Sequence, residues 1–164
     1  MESNAVSLRP MTLADGENVI AILRDDLVKK TYMLPDLDQE GANKLFLRLK
    51  ALSEDEMHYV RGIYLNDRLI GWINDTQMEK DTVELGWVID SGYHNRGYGT
   101  AAVKLALHEL HGKGMPVITA GAFSENAASI CVMEKAGMQP IEKTEEIEYR
   151  GQTHKCVYFE RCKS

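Results

Sequence analysis

The sequence predicts a mixed α/β (α+β) domain whose sheet combines antiparallel hairpins with one parallel crossover. Residues Thr82 to Ala120 read strand, helix, strand, a unit that makes its two strands parallel neighbours joined by a right-handed connection. Extended segments also flank two short turns, Asn66-Asp67 and Arg150-Gly151. Two helical patterns precede the first of these hairpins. The order is β, two helices, three strands, helix, strand, helix, hairpin, which excludes a doubly wound parallel sheet. At 164 residues the chain fits a single domain.

Each element has its own signal. Val6 and Leu8 alternate with polar residues and give a short strand that stops at Pro10. Thr12 with Asp15 resembles a capping arrangement, and Val19 or Ile20, Leu23 and Leu27 recur at helical spacing. Thr31 to Leu37 reads as a loop around Pro35. Asp38 is a good N-cap for a second helix with Ala42, Leu45, Leu49 and Leu52 as its apolar stripe. His58 to Leu65 and Arg68 to Ile73 are strands. So is Thr82 to Ile89, with Val83, Leu85, Trp87 and Ile89 on one face and Glu84, Gly86 and Val88 on the other. Tyr98 to Leu110 is an apolar helix stopped by Gly112 and Gly114. Val117 to Ala120 is a short buried strand. Ser124 to Ala136 is a helix ended by Gly137 at the C′ position. Thr144 to Tyr149 and His154 to Glu160 form the closing hairpin.

Apolar residues make up 44% and charged residues 27%, the balance of a globular protein. No run approaches the roughly 20 apolar residues a membrane span needs, and Met1 to Pro10 lacks a signal-peptide pattern. A cytoplasmic protein with no membrane partner is expected. The net charge of −6 is spread over intermixed acidic and basic residues, which argues against nucleic-acid binding. Cys131, Cys156 and Cys162 show no CxxC pair and no accompanying histidine spacing, so neither a metal site nor a disulfide framework is expected. Cys131 lies in an apolar helical run and reads as a buried thiol.

The chemically informative stretch is His94-Asn95-Arg96-Gly97-Tyr98-Gly99-Thr100-Ala101, which follows a strand and opens a helix. Glycines let the backbone approach a ligand, and the first helical N–H groups have no internal partners. Together they suit a phosphate or pyrophosphate, and Arg96 adds a cation. A P-loop is excluded because no lysine follows Gly99. A dinucleotide fingerprint fits poorly: Ala102 is a tolerated third position, but no acidic residue closes Val117 to Ala120. A glycine turn that merely joins strand to helix stays open on this stretch alone.

Five segments in order resemble the GCN5-related N-acetyltransferases (GNAT). They are Leu8-Arg9-Pro10 with Asp15, Glu84-Leu85-Gly86-Trp87, Gly97-Tyr98-Gly99-Thr100-Ala101, Asn126-Ala127-Ala128-Ser129 and Glu134-Lys135-Ala136-Gly137-Met138. The last two are most similar to the branch of ribosomal-protein N-terminal acetyltransferases. The family's Gln/Arg-x-x-Gly-x-Gly/Ala loop reads His94-Asn95-Arg96-Gly97-Tyr98-Gly99 here. The resemblance implies a mostly antiparallel, strongly bent sheet of six to seven strands with about four helices, its parallel strands splayed at the cofactor site. It implies acetyl-CoA as co-substrate and no metal. The pantetheine arm would bond backbone groups of Trp87, Val88 and Ile89, and the pyrophosphate would lie on amides from Asn95 to Ala101. Asn126 matches the asparagine that contacts the arm near the thioester. His94 replaces the usual Gln or Arg, so binding is expected to survive with altered affinity.

Acetyl transfer needs a base for the amine and a proton for the leaving thiolate. Glu84, a lone carboxylate in an apolar strand, is the candidate base and matches the Glu of the related branch. Many family members carry a proton-donating tyrosine seven residues after the asparagine. That place is Met133, which cannot donate. Ser129, about one helical turn beyond Asn126, is the alternative, with water as a further donor. His58, His108, His111 and His154 have no catalytic partner visible in the sequence. Acceptor specificity is expected from the Thr31–Asp36 loop, the first two helices and the Arg150-Gly151 hairpin, with Tyr32, Tyr149 and Tyr158 as candidate lining. The expected partner is a small amine or a protein N-terminus, taken up by a monomer or homodimer. A non-catalytic acyl-CoA-binding module and a nucleotide-binding protein are the competing readings.

Overall fold

Strand pairing follows the hydrophobic pattern. In a computed structural model of the chain, which describes residues 5–164, β1 (Val6–Arg9) lies antiparallel to β2 (Val60–Leu65). β2 pairs with β3 (Arg68–Met78) across a turn where Asn66 takes φ 57°, a conformation asparagine tolerates. β3 pairs with β4 (Thr82–Ile89), and β4 runs parallel to β5 (Val117–Phe123) as the crossover requires. β7 (Gln152–Cys162) then separates β5 from the edge strand β6 (Gln139–Tyr149). The sheet order is β1-β2-β3-β4-β5-β7-β6, with one parallel pair among seven strands. Met1 to Asn4, the start of the segment that lacks a leader pattern, lie outside the described residues.

Local chemistry sets the helix limits. The single helix expected from Thr12 to Leu27 is instead a 3-10 turn (Leu13–Asp15), α1 (Gly16–Leu23) and α2 (Asp26–Lys29). The break falls at Asp25, which adopts extended backbone and caps α2 by accepting the Leu27 N–H at 2.8 Å. Asp38 caps α3 (Gln39–Ser53) through the Gly41 N–H at 2.7 Å. α4 (Tyr98–Gly112) follows the glycine turn. α5 (Ala127–Lys135) is shorter than expected because Asn126 caps it. It ends at Gly137, φ +87°, where Met138 N–H meets Met133 C=O and Gly137 N–H meets Glu134 C=O, the paired bonds of a Schellman motif.

Two cores flank the sheet. α4 and α5 cover one face against Ile63, Ile73, Val83, Leu85, Ile118 and Phe159. On the other face α1 and α3 pack on Val60, Tyr64, Leu69, Trp72 and Val88, and no residue of β5, β6 or β7 joins that second core. The alternation expected for β4 therefore holds: Val83 and Leu85 enter the first core, Val88 the second. Glu84, on the Val88 side, lies beyond the helical cover and is half-buried.

Candidate functional site

The site begins where β4 and β5 part. Their ladder joins Thr82–Leu85 to Val117–Ala120 and goes no further, although both strands continue. The bond from Asp90 N–H to Ile70 C=O (2.7 Å) fixes the phase of the β3–β4 ladder. Alternation then turns the main chain of Val88 toward β3, and that of Trp87 and Ile89 toward the gap. His94 Nε2 lies 2.7 Å from Ile89 C=O. A carbonyl only accepts, so this nitrogen carries the proton, and His94 ties the loop to the strand end.

A cleft of about 390 Å³ lies between the end of β4, the glycine loop and α5, and is lined by Trp87, Val88 and Ile89, by His94 to Thr100, and by Asn126 and Ser129. Gly97 opens α4 at φ +82°, and Asn95 is also left-handed at φ 61°. A Cβ on Gly97 would meet nothing within 4 Å, so within the protein glycine is favoured there by its dihedral alone. Among the described residues the amides of Asn95 through Thr100 have no internal partner. Ala101 is a correction: its N–H is already bonded to Gly97 C=O at 3.1 Å, the first hydrogen bond of the helix, so the row of free donors ends at Thr100.

Asn126 Oδ1 accepts the Ser129 N–H at 3.2 Å, which orients its amide so that Nδ2 donates to Ser129 Oγ at 3.1 Å. The serine oxygen thus accepts a bond and its own hydrogen remains free to donate. Met133, by contrast, is fully buried in the core on the α4–α5 face. Cys131 also departs from expectation: it is exposed and lines the cleft. α5 has two faces, and Met133 and Ala136 take the buried one.

A second pocket of about 280 Å³ sits where the strands part, lined by Gly86 and Trp87 of β4 and by Gly121 to Phe123 of β5, with Glu84, Thr76, Tyr32, Cys156 and Tyr158 among others. Thr76 Oγ1 donates to Glu84 Oε2 at 2.6 Å. Burial pushes the Cys156 thiol upward, and burial followed by the bond to Glu145 does the same to the Tyr158 phenol. Thr31, Tyr32, Trp87, Asn126 and Ser129 line both cavities, which therefore adjoin. Tyr32 is held at this junction, receiving the Trp72 Nε1–H and donating to Asn74 Oδ1, both at 3.2 Å. Tyr149 does not line either cavity and bonds the segment near Leu34 instead.

Thr76 and Asn74, which bond Glu84 and Tyr32, are contacts the sequence reading missed. The only signal was a polar residue facing Glu84 across the β3–β4 hairpin. The histidines lie elsewhere: His58 meets Asp75 Oδ2 at 3.1 Å, His111 meets Arg161 C=O at 3.3 Å, and His154 pairs with Glu125 and stacks on Phe123. His108 is exposed. No helix of the described residues is long and apolar enough to cross a membrane.

Residues 6–139 match the family model described as the acetyltransferase (GNAT) domain. Among curated proteins none matches the sequence. An acetyltransferase (GNAT family) structure from Bacillus anthracis is similar, with TM-score 0.83 and 22% identity over 99% of this chain and 98% of that one. RimL, the ribosomal L7/L12 alpha-N-protein acetyltransferase, in complex with coenzyme A, gives TM-score 0.86 and 13% identity over 99% and 96%. The microcin C7 self immunity acetyltransferase MccE, in complex with acetyl-CoA and AMP, gives 0.84 and 12% over 98% and 93%. At these identities the structures show a shared fold. With a family match that spans most of the sequence, the chain belongs to the GNAT acetyltransferase family and is an acyltransferase.

Proposed function

We propose that the protein moves an acetyl group directly from acetyl-CoA to a primary amine, either a protein or peptide N-terminus or a small amine. Glu84 serves as general base and Ser129 as proton donor to the leaving sulfur. The observation that carries this reading is the adjacency of the two cavities, both lined by Trp87, Asn126 and Ser129, with the helix-start amides on one side and Glu84 on the other.

The residues fit coenzyme A. The unpaired amides from Asn95 to Thr100 suit a pyrophosphate, and the exposed main chain of Trp87 suits an amide-bearing arm. Bound acetyl-CoA supplies an activated thioester. The amine must be neutral to attack, and an N-terminus near pKa 8 loses its proton more readily than an alkylamine near 10. Glu84 accepts that proton, directly or through water, while Thr76 holds its carboxylate in place. Ser129 donates its free hydrogen toward the sulfur as the amide bond forms and the C–S bond breaks. Burial raises the Cys156 thiol pKa and so disfavours an acyl-enzyme at that cysteine.

The test is turnover of acetyl-CoA against a panel of amines and free N-terminal peptides, read by thiol release. Acetylation of at least one amine is expected. Tight acetyl-CoA binding without turnover would instead identify a non-catalytic acyl-CoA-binding module.

A further inference from the structure

The hairpin joining β6 to β7 contains a residue in the wrong conformation for its type. Arg150 and Gly151 have φ 50° and 76°, the signature of a two-residue type I′ turn between the paired residues Tyr149 and Gln152. That turn favours asparagine, aspartate or glycine at its first position, because a Cβ is crowded there. The β2–β3 turn of the same molecule follows the rule with Asn66. An arginine in this conformation is strained, and its side chain shows what it does there.

The guanidinium reaches across the molecule to the segment between α2 and α3. Arg150 Nη2 donates to Leu34 C=O and to Asp36 Oδ1, each at 3.0 Å, and Nε donates to the Tyr149 hydroxyl at 3.0 Å. That hydroxyl in turn donates to Lys29 C=O and accepts the Leu34 N–H at 3.3 Å. Both ends of segment 29–36 are thereby fastened to one hairpin tip. Between the two fastenings lie Thr31, Tyr32 and Met33, which line the pocket that holds Glu84. No helix or strand forms within 31–36.

We propose that Arg150, acting with Tyr149, is a positioning residue for the acceptor. By closing segment 29–36 into a fixed loop, it holds Tyr32 and Met33 as the wall of the amine pocket. This rests on the acetyl-transfer reading above. Arg150 touches no reacting atom, and its effect passes through Tyr32.

The discriminating variant is Arg150→Asn, which suits the left-handed conformation and deletes the reach. Its melting temperature should equal or exceed that of wild type, whereas a merely structural arginine would lower it. Amide hydrogen exchange at residues 31–36 should accelerate, and the KM for the best amine of the panel should rise, each by about five- to tenfold, with a smaller rise in the KM for acetyl-CoA, whose cleft Thr31 and Tyr32 also border. Arg150→Lys, which keeps one charged donor, should recover part of both effects. Wild-type exchange at 31–36, or an unchanged amine KM beside a changed exchange rate, overturns the proposal. Should wild type acetylate no amine, the acetyl-transfer reading fails. Exchange then decides whether the loop is fastened as described, and unchanged exchange overturns that as well.

Discussion

Replacing Glu84 by Gln isolates proton acceptance from every other property of the site. Glutamine keeps the shape and can still accept the Thr76 hydroxyl through its amide oxygen, so the 2.6 Å contact has a substitute. Glu84 forms no ion pair among the described residues, so no paired cation is orphaned, and stability should move by no more than about 0.5 kcal/mol. General base catalysis supplies about 10²–10⁴ in rate, or about 3 to 5 kcal/mol of barrier, and kcat should fall within that range. Acetyl-CoA binding should be untouched because Glu84 lies in the second pocket and not in the cofactor cleft. Thiol release measured from about pH 6 to about pH 9 gives a second signature. The ascending limb should move to the amine's own pKa, about 8 for an N-terminus, because only amine that has lost its proton beforehand can then attack. A variant that melts like wild type and stays within about threefold of its kcat across that range would leave too little for a base to have contributed. Glu84 would then be a polar residue of the pocket wall.

Three further outcomes follow from the same geometry. Gly97→Ala puts a methyl group into open space at φ +82°; it should cost about 1–2 kcal/mol of stability and weaken coenzyme A binding beyond that, and unchanged affinity by calorimetry would remove the loop from the site. Ser129→Ala removes one neutral donor but leaves room for water, so kcat should drop about 2- to 13-fold with little change in melting; a stable variant at wild-type kcat leaves water as the acid. The Asp25 carboxyl is held below its ordinary range chiefly by the Ser91 hydroxyl, so its stabilisation is full above the unfolded carboxylate pKa and is lost as pH falls through the folded one. The melting-temperature gap between wild type and Ser91→Ala should therefore narrow from about pH 5 to about pH 2, and a constant gap would deny the linkage.

The sequence revealed elements better than their ends. The apolar periods of α3 and α4 and the alternation in β4 depend on residues close together in the chain. The limits of β5, β6 and β7 depend on partners far along it: β5 reaches Phe123 because β7 pairs with all seven of its residues. The break between α1 and α2 was hidden because Asp25 looks like any aspartate on a helix surface, and only the fold shows it turning outward to cap. Cys131 was misread for a related reason, since an apolar run does not say which of its residues face the core. At the site, the glycine loop and Glu84 stood out by residue type and position, Asn126 and Ser129 through the family resemblance, and Arg150 only as part of its hairpin. Thr76 and Asn74 did not, because their contacts exist only once β3 is brought against the pocket. Met133 shows the limit of transferring a family position: its side chain is core, so a tyrosine placed there would first have to displace that packing.

The gap that makes the site is itself a consequence of strand pairing. β4 stays with β3 as far as the Gly71–Ile89 pair, and β5 stays with β7 as far as the Phe123–Cys156 pair. Each of the two parallel strands follows its antiparallel neighbour, and beyond Leu85 and Ala120 those neighbours lead them apart. Main-chain groups left open in this way are costly unless something bonds them. His94 answers one of them, the Ile89 carbonyl, at the end of β4 nearest the glycine turn. The main chain of Trp87, nearer the fork, faces the gap and is where the proposed function seats an amide-bearing ligand. The carboxylate on the uncovered face of the same strand then lies one residue pair before the fork, at Glu84. A single divergence thus sets the open main chain of Trp87 and the carboxylate of Glu84 on adjoining stretches of one strand, the arrangement on which the proposed acyl transfer draws.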